Sequence, residues 1–396
     1  MKLNKIMLVA GARPNFVKIA PIIKAFSESP AANKARLLLV HTGQHYDYKL
    51  SQVFFDDLAI PRPDLYLGVG SGSHTTQIAK VMLELEKVLV REKPDLLMVV
   101  GDVNSTVASA LTAYKLQIPV AHVEAGLRSF DRTMPEEANR ILTDQMSEFL
   151  FTPSRDAFDN LLREGIAGKK IFNVGNVMID TLKSNLPKAI DRPILKKLGL
   201  DNEGKPGCYV LVTLHRPSNV DDAKVLGGIF RALRAISREL SLLYPVHPRS
   251  WANIVKFGFH DYFENVKSTS NIRQFSNCTR PGLYAIDPLG YLDFLKVQLH
   301  AAAVLTDSGG VQEETTFLGV PCLTLRENTE RPITVDLGTN KVIGMNEEKI
   351  MQAWNEIKDN KNGNMKERHA GARRAGCKIS KWDGKAAERI VRILFR

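Results

Sequence analysis

Long apolar runs and clustered cysteines are both missing from this 396-residue sequence. No stretch approaches the roughly 18 apolar residues that a membrane span needs, so we expect no membrane-spanning helix. The GxGxxG fingerprint is also absent, which argues against a bound dinucleotide. The cysteines show no metal-binding spacing, so we expect reduced thiols of a cytoplasmic protein rather than disulfides or a zinc site. The four are Cys208, Cys278, Cys322 and Cys377.

Net positive charge is small outside the C-terminal end, although the whole chain has a net charge of +11. Residues 361–396 carry eleven Lys or Arg against three acidic residues. Aromatic residues do not alternate with these cations, as a platform for stacked bases would require. We therefore favour a solvated helix face over contact with nucleic acid or an anionic membrane, and we predict neither as a partner.

The sequence is otherwise that of a globular protein, with 44% hydrophobic and 24% charged residues. Its length favours two domains. The first apolar run, at residues 5–10, predicts a buried strand rather than a signal peptide. Helical patterns at 16–26 and 75–91 alternate with further apolar runs, which are ARLLLVHT, DLLMVV, IPVAHV, EFLFTPS and KIFNVG. Such alternation predicts βαβ units with a parallel sheet.

A polar stretch at residues 183–205 interrupts this alternation and predicts a domain boundary. A second series of apolar runs follows, and its members are CYVLVTL, LLYPVHP, YAIDPLG, AAVLTDSGG and VPCLTLR. Residues 382–395 have a helical pattern, whereas 43–58 predict a polar turn with a short helix and 68–74 a loop. The chain is thus predicted to contain two α/β domains with parallel sheets.

Three acidic side chains stand out at Gly101–Arg140. Asp102 and Glu124 each follow an apolar run, and Glu136 lies with Glu137 at the start of a helical pattern. Ligands bind at the carboxyl ends of strands in α/β folds, and clustered carboxylates suit general acid/base work. The alternatives are that Asp102 caps a helix, that Glu124 is a polar strand end and that Glu136 only favours a helix start.

Two turns between a strand and a helix are candidate anion sites. GARPNFVK carries Arg13 and Lys18, although its cations could instead face solvent. TDSGGVQEET is the more specific of the two. Its glycines allow a phosphate to approach the backbone, Ser308 adds a hydroxyl, and Glu313 or Glu314 could hold ribose hydroxyls. The alternative is an Asp–Gly turn with a charged first helical turn.

Two histidines and one arginine complete the candidates. His215 and His247 follow successive apolar runs of the second half, and they could contact phosphate or substrate. A lone histidine is more often structural, and this pair lies too far apart in sequence to predict a metal site. Arg331 is a loop cation that alone would attract no attention.

Ten motifs together resemble the non-hydrolysing UDP-N-acetylglucosamine 2-epimerases. In order along nearly the whole chain they are GARPNFVK, HTGQHYD, GDVNST, HVEAGLR, MPEEANR, VGNVMIDTL, TLHRP, YPVHP, LTDSGGVQEE and NTERP. The resemblance implies a GT-B fold, in which two Rossmann-like domains enclose the active site and the last helix returns to the first domain. We accordingly expect an N-terminal domain at 1–185 joined by a helix at 375–396, and a C-terminal domain at 186–374. Members act without a redox cofactor and are usually homodimers.

The resemblance also implies roles for individual residues. The family's catalytic residues match Asp102, Glu124, Glu136 and His215. Its UDP contacts match Arg13, Lys18, Phe294, Ser308, Gly309, Gly310, Glu314 and Arg331. A second, activating UDP-sugar site in many bacterial members matches Gln44, Glu137, Arg216 and His247. Asp47 stands where some members have Gln, and the 68–74 loop lacks an arginine, which argues against allosteric activation.

The resemblance predicts a cytoplasmic enzyme that interconverts UDP-GlcNAc and UDP-ManNAc for surface polysaccharide. UDP would be eliminated to give 2-acetamidoglucal and then added back with C2 inverted. One alternative is a 2-epimerase of a related UDP-2-acetamido sugar. The others are a GT-B glycosyltransferase, which would need an acceptor, and a regulator that binds the nucleotide sugar without turning it over.

Overall fold

The computed structural model describes residues 2–11, 13–32, 35–43, 55–202, 205–264, 266, 278, 280–359 and 378–396. Gln44, Asp47, Cys377 and the side chain of Arg13 lie outside the described residues, as do most of the turn and short helix expected at 43–58 and about half of the basic tail. The chain divides into two compact units. Domain 1 comprises Met1–Ser184 with Ile379–Arg396, and domain 2 comprises Asn185–Lys378.

Domain 1 is built on a seven-stranded parallel sheet in the order β3-β2-β1-β4-β5-β6-β7. Its strands are β1 (Lys5–Ala10), β2 (Arg36–His41), β3 (Leu65–Tyr66), β4 (Leu96–Val100), β5 (Val120–Val123), β6 (Phe149–Thr152) and β7 (Ile171–Asn173). Met7 on β1 pairs with Leu38 and Leu97 on the two neighbouring strands. The central strands are buried almost throughout, as expected for a sheet covered on both faces.

Helices follow these strands as βαβ units require. Those of domain 1 are α1 (Arg13–Glu28), α2 (His74–Glu92), α3 (Asn104–Lys115), α4 (Pro135–Met146), α5 (Arg155–Arg163) and α6 (Val177–Ile190). A short 3-10 turn, Gly168–Lys170, precedes β7. The last helix of the chain packs on α1, where the rings of Phe26 and Phe395 meet edge to face at 5.7 Å. The C-terminal end therefore belongs to the first domain.

Domain 2 repeats the design with a six-stranded parallel sheet in the order β12-β11-β10-β13-β14-β15. An antiparallel pair, β8 (Asp201–Asn202) and β9 (Lys205–Pro206), precedes it. The sheet consists of β10 (Tyr209–Thr213), β11 (Ser241–Pro245), β12 (Gly282–Ile286), β13 (Ala303–Thr306), β14 (Cys322–Thr324) and β15 (Asn340–Val342). Its core includes the fully buried rings of Phe230 and Trp354.

The helices of domain 2, with the last helix of the chain, complete the secondary structure. They are α7 (Ile194–Lys197), α8 (Pro217–Val220), α9 (Ala223–Ser237), α10 (Pro248–Lys256), α11 (Tyr291–His300), α12 (Gly309–Leu318), α13 (Pro332–Asp336), α14 (Glu347–Asp359) and α15 (Ala386–Leu394). A 3-10 turn spans Phe259–Tyr262. Within the described ranges, no helix combines the length and apolar character that crossing a bilayer requires.

The predicted fold class of two parallel α/β domains is confirmed. The sequence analysis did not identify the short strands β3, β15, β8 and β9. Strands of two or three residues carry too little alternation to be recognised. The last helix begins at Ala386, and not at Trp382 or at residue 375 as expected. Trp382 lies in the segment before the helix, where it is buried and donates its indole N–H to the carbonyl of Pro153 at 3.0 Å.

Candidate active site

The carboxyl end of β4 leads into a tight turn at Gly101. This residue has φ +69°, a left-handed conformation that favours glycine. A Cβ here would lie 2.8 Å from Nζ of Lys18. Since Lys18 is buried and paired, a larger residue would displace it. The turn therefore depends on glycine both for its conformation and for the space that Lys18 occupies.

Asp102 follows this turn and pairs with Arg140 of α4. Asn139 on the same helix donates to the Asp102 carbonyl at 2.9 Å. The alternative interpretation of Asp102 as a helix cap is not what is found, because Val103 occupies the N-cap position of α3. Asp102 is instead held by α4, with its side chain 23% exposed and therefore accessible to a ligand.

Glu124 follows the end of β5 in a strained conformation. Its φ of +72° costs about 1–3 kcal/mol for a residue with a side chain. Its backbone N–H and that of Ala125 both donate to the carbonyl of Phe151, at 3.0 and 3.1 Å. The Lys18 ammonium, on α1, lies 2.8–2.9 Å from the carboxylate oxygens, and both side chains are nearly fully buried. Glu124 is thus a buried, ion-paired carboxylate and not merely a polar residue at the end of a strand.

Glu136 and Glu137 begin α4 just after Pro135, yet they differ in environment. Glu136 is half-buried, and among the described residues no cation forms an ion pair with it. Glu137 is buried and accepts from the backbone N–H of Ser129 and Phe130 and from Arg140. Burial raises the pKa of Glu137, but the Ser129 N–H and Arg140 outweigh it and hold that pKa below its usual value.

Arg140 is a site residue that the sequence analysis missed. Its guanidinium contacts Asp102 and, at 2.6 Å, Glu137, and it is only 2% exposed. It therefore joins the turn after β4 to the start of α4. One feature of the sequence could have indicated this role: Arg140 lies three residues after Glu137, so the two side chains share one helix face.

Domain 2 places a histidine and an aspartate at the ends of neighbouring strands. His215 lies after β10, and its Nδ1 is 2.9 Å from Oδ1 of the fully buried Asp307, which follows β13. Asp307 also accepts from the backbone N–H groups of His215 and Arg216, each at 2.9 Å. Burial raises the pKa of Asp307, but His215 and these N–H groups bring it below its usual value. The half-exposed imidazole therefore donates from Nδ1 and keeps Nε2 for another partner.

The Ser-Gly-Gly turn leads into α12, with Ser308 at the N-cap position and Gly309 and Gly310 in the first turn. A Cβ on Gly309 would lie 2.5 Å from Oε1 of Glu330. This glycine thus makes room for a buried carboxylate of the protein itself, a reason that the sequence analysis did not consider.

A buried group of charges surrounds that turn. Glu330 lies 2.8 Å from Arg326 and 3.3 Å from Arg216, while Arg331 lies 2.6 Å from Glu313. Burial raises the pKa of Glu330, but Arg331, Arg326 and Arg216 together lower it strongly. The three guanidinium groups are donors of the kind that bind phosphate. Arg331 is therefore a buried, engaged residue rather than an ordinary loop cation.

Glu314 lies further along α12 in a different environment. It is buried, and the hydroxyl of Tyr291 on α11 donates to it at 3.2 Å. Burial raises the pKa of Glu314 to about 7. Phe294 is half-buried on the same α11. His247 is exposed at the N-cap of α10, where its Nδ1 accepts from the Arg249 N–H at 3.3 Å.

The candidates therefore form two groups. In domain 1, Lys18, Asp102, Glu124, Glu136 and Glu137 gather at the carboxyl ends of β4 and β5 and the start of α4. In domain 2, the ends of β10 and β13 bring together His215, Arg216, Ser308, Gly309 and Gly310 with Arg331 nearby. Within the described part of the chain, no set of His, Cys, Asp and Glu could hold a metal ion.

Comparison with known proteins identifies the family. A family model described as UDP-N-acetylglucosamine 2-epimerase matches residues 28–395. The chain belongs to this family. A UDP-N-acetylglucosamine 2-epimerase of Methanocaldococcus jannaschii is 42% identical over an alignment of 398 positions, which covers 98% of each chain. A UDP-2,3-diacetamido-2,3-dideoxy-D-glucuronate 2-epimerase of Pseudomonas aeruginosa is 40% identical and covers 88% of this chain and 91% of its own.

Solved structures of the UDP-N-acetylglucosamine 2-epimerase family share the architecture. The crystal structure of the Methanocaldococcus jannaschii UDP-GlcNAc 2-epimerase, in complex with UDP-GlcNAc and UDP, matches with a TM-score of 0.83 at 40% identity. The match covers 98% of this chain and 99% of that one. The predicted family and the GT-B class of two Rossmann-like domains are both confirmed.

Proposed function

We propose that this member of the family is a non-hydrolysing UDP-N-acetylglucosamine 2-epimerase. It would interconvert UDP-GlcNAc and UDP-ManNAc and so supply a precursor of surface polysaccharide. The observation that carries the proposal is the group of anchored carboxylates after β4 and β5, in a chain whose relatives are 2-epimerases over nearly their whole length. A glycosyltransferase would have no use for three acids at these positions.

The proposed reaction breaks two bonds of the sugar and then re-forms them. A carboxylate takes the proton from C2, the C1–O bond breaks with its electron pair leaving on UDP, and a C1=C2 double bond remains. UDP then adds back to C1 while C2 receives a proton on its opposite face. Asp102, Glu124 and Glu136 are the proposed acid/base residues, because one group must remove a proton and another must deliver one.

The residues of domain 2 would hold the leaving UDP. The N-terminus of α12, with Ser308 and its two glycines, presents backbone N–H groups to an anion. His215 would donate to the diphosphate, since Asp307 fixes its ring. Arg13 and Lys18 of domain 1, with Phe294, Glu314 and Arg331 of domain 2, are the further proposed contacts. Retention of UDP beside the glycal allows re-addition instead of release.

A second candidate is the same reaction on a related UDP-2-acetamido sugar. It is favoured by the Pseudomonas aeruginosa relative, whose identity of 40% is close to the 42% of the Methanocaldococcus jannaschii enzyme. The chemistry at C1 and C2 would be unchanged, and only the groups at the far side of the sugar would differ.

We further propose a cytoplasmic homodimer that needs no redox cofactor. No nucleic-acid or membrane partner is part of the proposal. Gln44, Glu137, Arg216 and His247 remain the proposed second-site residues. Of these, Glu137 and Arg216 already bind protein groups, which makes them better suited to shaping the active site than to holding a second ligand.

The test is an NMR time course in D2O with UDP-GlcNAc as the only substrate. We expect deuterium at C2 together with the signals of UDP-ManNAc. Free ManNAc would instead indicate a hydrolysing enzyme, and UDP binding without exchange at C2 would overturn the proposal. A parallel incubation with UDP-2,3-diacetamido-2,3-dideoxy-glucuronate distinguishes the two candidate substrates by their relative kcat/KM.

A further inference from the structure

A largely buried group of charges lies in domain 1 and is called here the buried charge group: it consists of His122, Arg128, Asp144 and the half-buried Glu164. Nδ1 of His122 is 2.6 Å from Oδ1 of Asp144, and both side chains are fully buried. Arg128 lies 2.7 Å from Asp144 and makes a bidentate pair with Glu164 at 2.6 and 2.7 Å. None of these residues has a part in the proposed chemistry.

Both ring nitrogens of His122 face groups that accept hydrogen bonds. Nε2 lies 2.8 Å from the carbonyl oxygen of Gly101, which can only accept. Nδ1 faces Asp144, whose other oxygen accepts from the N–H of Gly126 at 3.1 Å and lies beside Arg128. Tautomers are assigned from such networks. The Gly101 carbonyl places a proton on Nε2, and the Gly126 N–H and Arg128 favour an ionised Asp144, so the shared proton is assigned to Nδ1. The ring is then an imidazolium, and its charge and that of Arg128 are paired with Asp144 and the half-buried Glu164, as buried charges require partners.

The same bonds lead directly to two of the proposed acid/base residues. The Gly101 carbonyl belongs to the residue immediately before Asp102, so His122 fixes the turn that presents that carboxylate. Glu124 follows His122 by two residues. Asp144 holds the backbone of Gly126, just beyond Glu124, while Asn160 donates to the Gly126 carbonyl at 2.9 Å. The left-handed backbone at Glu124 is thus held by two members of the buried charge group: His122 precedes it in the chain, and Asp144 binds Gly126 after it.

We infer that His122 is a doubly protonated imidazolium and a positioning residue. Through its contacts with Gly101 and Asp144, it fixes the positions of Asp102 and Glu124 relative to each other. It touches no reacting atom. Its effect is geometric, because small misplacements of a reacting group can lower a rate by about 10²-fold. The consequence for catalysis rests on the proposed function, whereas the protonation state of the ring does not.

The first test is NMR of the full-length protein labelled with ¹⁵N-histidine. We expect one histidine with a proton on each ring nitrogen, whereas a neutral imidazole carries only one ring proton. Loss of both proton signals in His122→Gln assigns them. Should that variant not fold, through-space contacts to the Gly101 Cα protons assign them instead. A single ring proton on His122 would overturn the inference, because the shared proton would then reside on Asp144.

Asp144→Asn provides the conservative variant. Its amide can donate to Nδ1 and so retain the hydrogen bond while removing the negative charge. We expect His122 in this variant to keep only the proton on Nε2. Two persisting ring protons would contradict the part assigned to Asp144.

The second test separates kcat from binding. For His122→Gln we expect kcat to fall about 10²-fold, with KM and the calorimetric affinity for UDP within twofold of the wild type. His260→Gln, at a histidine outside both site groups, serves as the matched control with unchanged kinetics. A wild-type kcat in His122→Gln would refute the positioning role. A wild-type protein without any 2-epimerase activity would refute the proposed function alone, because the NMR result stands independently.

Discussion

Asp180 holds the first turn of the last helix, and its burial makes that attachment dependent on pH. Its two carboxylate oxygens accept from the backbone N–H groups of Ala386, at 3.1 Å, and Ala387, at 2.8 Å. Burial raises the pKa of Asp180 to about 6, although both N–H groups lower it. The charged carboxylate is therefore less favourable in the folded protein than in the unfolded chain.

The size of the effect follows from the shift. A rise from 3.8 to about 6 corresponds to about 3 kcal/mol, at 1.36 kcal/mol for each pKa unit. Because the folded pKa is the higher one, this stability is present below pH 4 and is lost as the pH rises through 6. About 2 kcal/mol of the loss falls between pH 4.5 and 7.5. Asp180→Asn has no such titration.

The assay is hydrogen exchange of the peptides that cover residues 379–396 during urea unfolding at pH 4.5 and 7.5. Replacing one oxygen by an amide costs the variant a hydrogen bond at both pH values. Relative to wild type, we nevertheless expect Asp180→Asn to gain about 2 kcal/mol from the lower to the higher pH. A relative stability independent of pH would refute the reasoning.

A neighbouring carboxylate gives the matched control for this experiment. The hydrogen bond from Arg389 holds the pKa of Asp383 below its usual value, so its contribution is lost as the pH falls. Because the folded and unfolded pKa values of Asp383 both lie below 4.5, Asp383→Asn should keep nearly the same stability relative to wild type at pH 4.5 and 7.5. A gain in Asp383→Asn equal to that of Asp180→Asn would show that a general charge effect, and not burial of Asp180, controls the helix.

Three further predictions concern the site. Asp102→Asn, Glu124→Gln and Glu136→Gln should each lower kcat at least about 10²-fold, as measured by C2 exchange; a residue whose variant keeps a wild-type rate has no acid/base role. Lys18→Met strands a buried carboxylate and should destabilise domain 1 by about 3–5 kcal/mol in urea unfolding, whereas the exposed pair of α1 broken by Lys24→Met should cost less than about 1 kcal/mol; equal losses would refute the importance of burial. UDP affinity, measured by calorimetry, should increase as the pH rises through about 7, because burial raises the pKa of Glu314 to about 7 and only its ionised form would accept hydrogen bonds from UDP through both oxygens. Glu314→Gln should abolish this increase. An identical pH profile in the variant would exclude Glu314 as a UDP contact.

Most of the fold could be predicted because its signals are local. The run KIMLVA predicted β1 at its observed limits, and the strands that precede Asp102, Glu124 and His215 were recognised as buried apolar runs. The family followed from motifs that span both domains. β15 was missed because Asn340–Val342 is a strand only through its pairing with Cys322–Thr324, a contact that short sequences do not encode.

The network around the carboxylates could not be predicted, since it joins residues far apart in sequence. Lys18 was expected to bind the nucleotide, yet its ammonium pairs with Glu124, 106 residues away. Asp307 was recognised as a strand end, but its bond to His215 depends on β10 lying next to β13. A polar residue inside an apolar run, such as His122 in IPVAHV, was an available signal, because such groups need partners when buried.

The most direct test of the central claim follows both bonds of the substrate in a single incubation. UDP-GlcNAc labelled with ¹⁸O in the bridge between C1 and the β-phosphate is incubated with the enzyme in D2O. Elimination and re-addition predict deuterium at C2 together with movement of the label from the bridging to the non-bridging phosphate positions. Deuterium at C2 with the label still in the bridge, and with no UDP or 2-acetamidoglucal released on prolonged incubation, would contradict the account, because no product of C1–O cleavage would then be found.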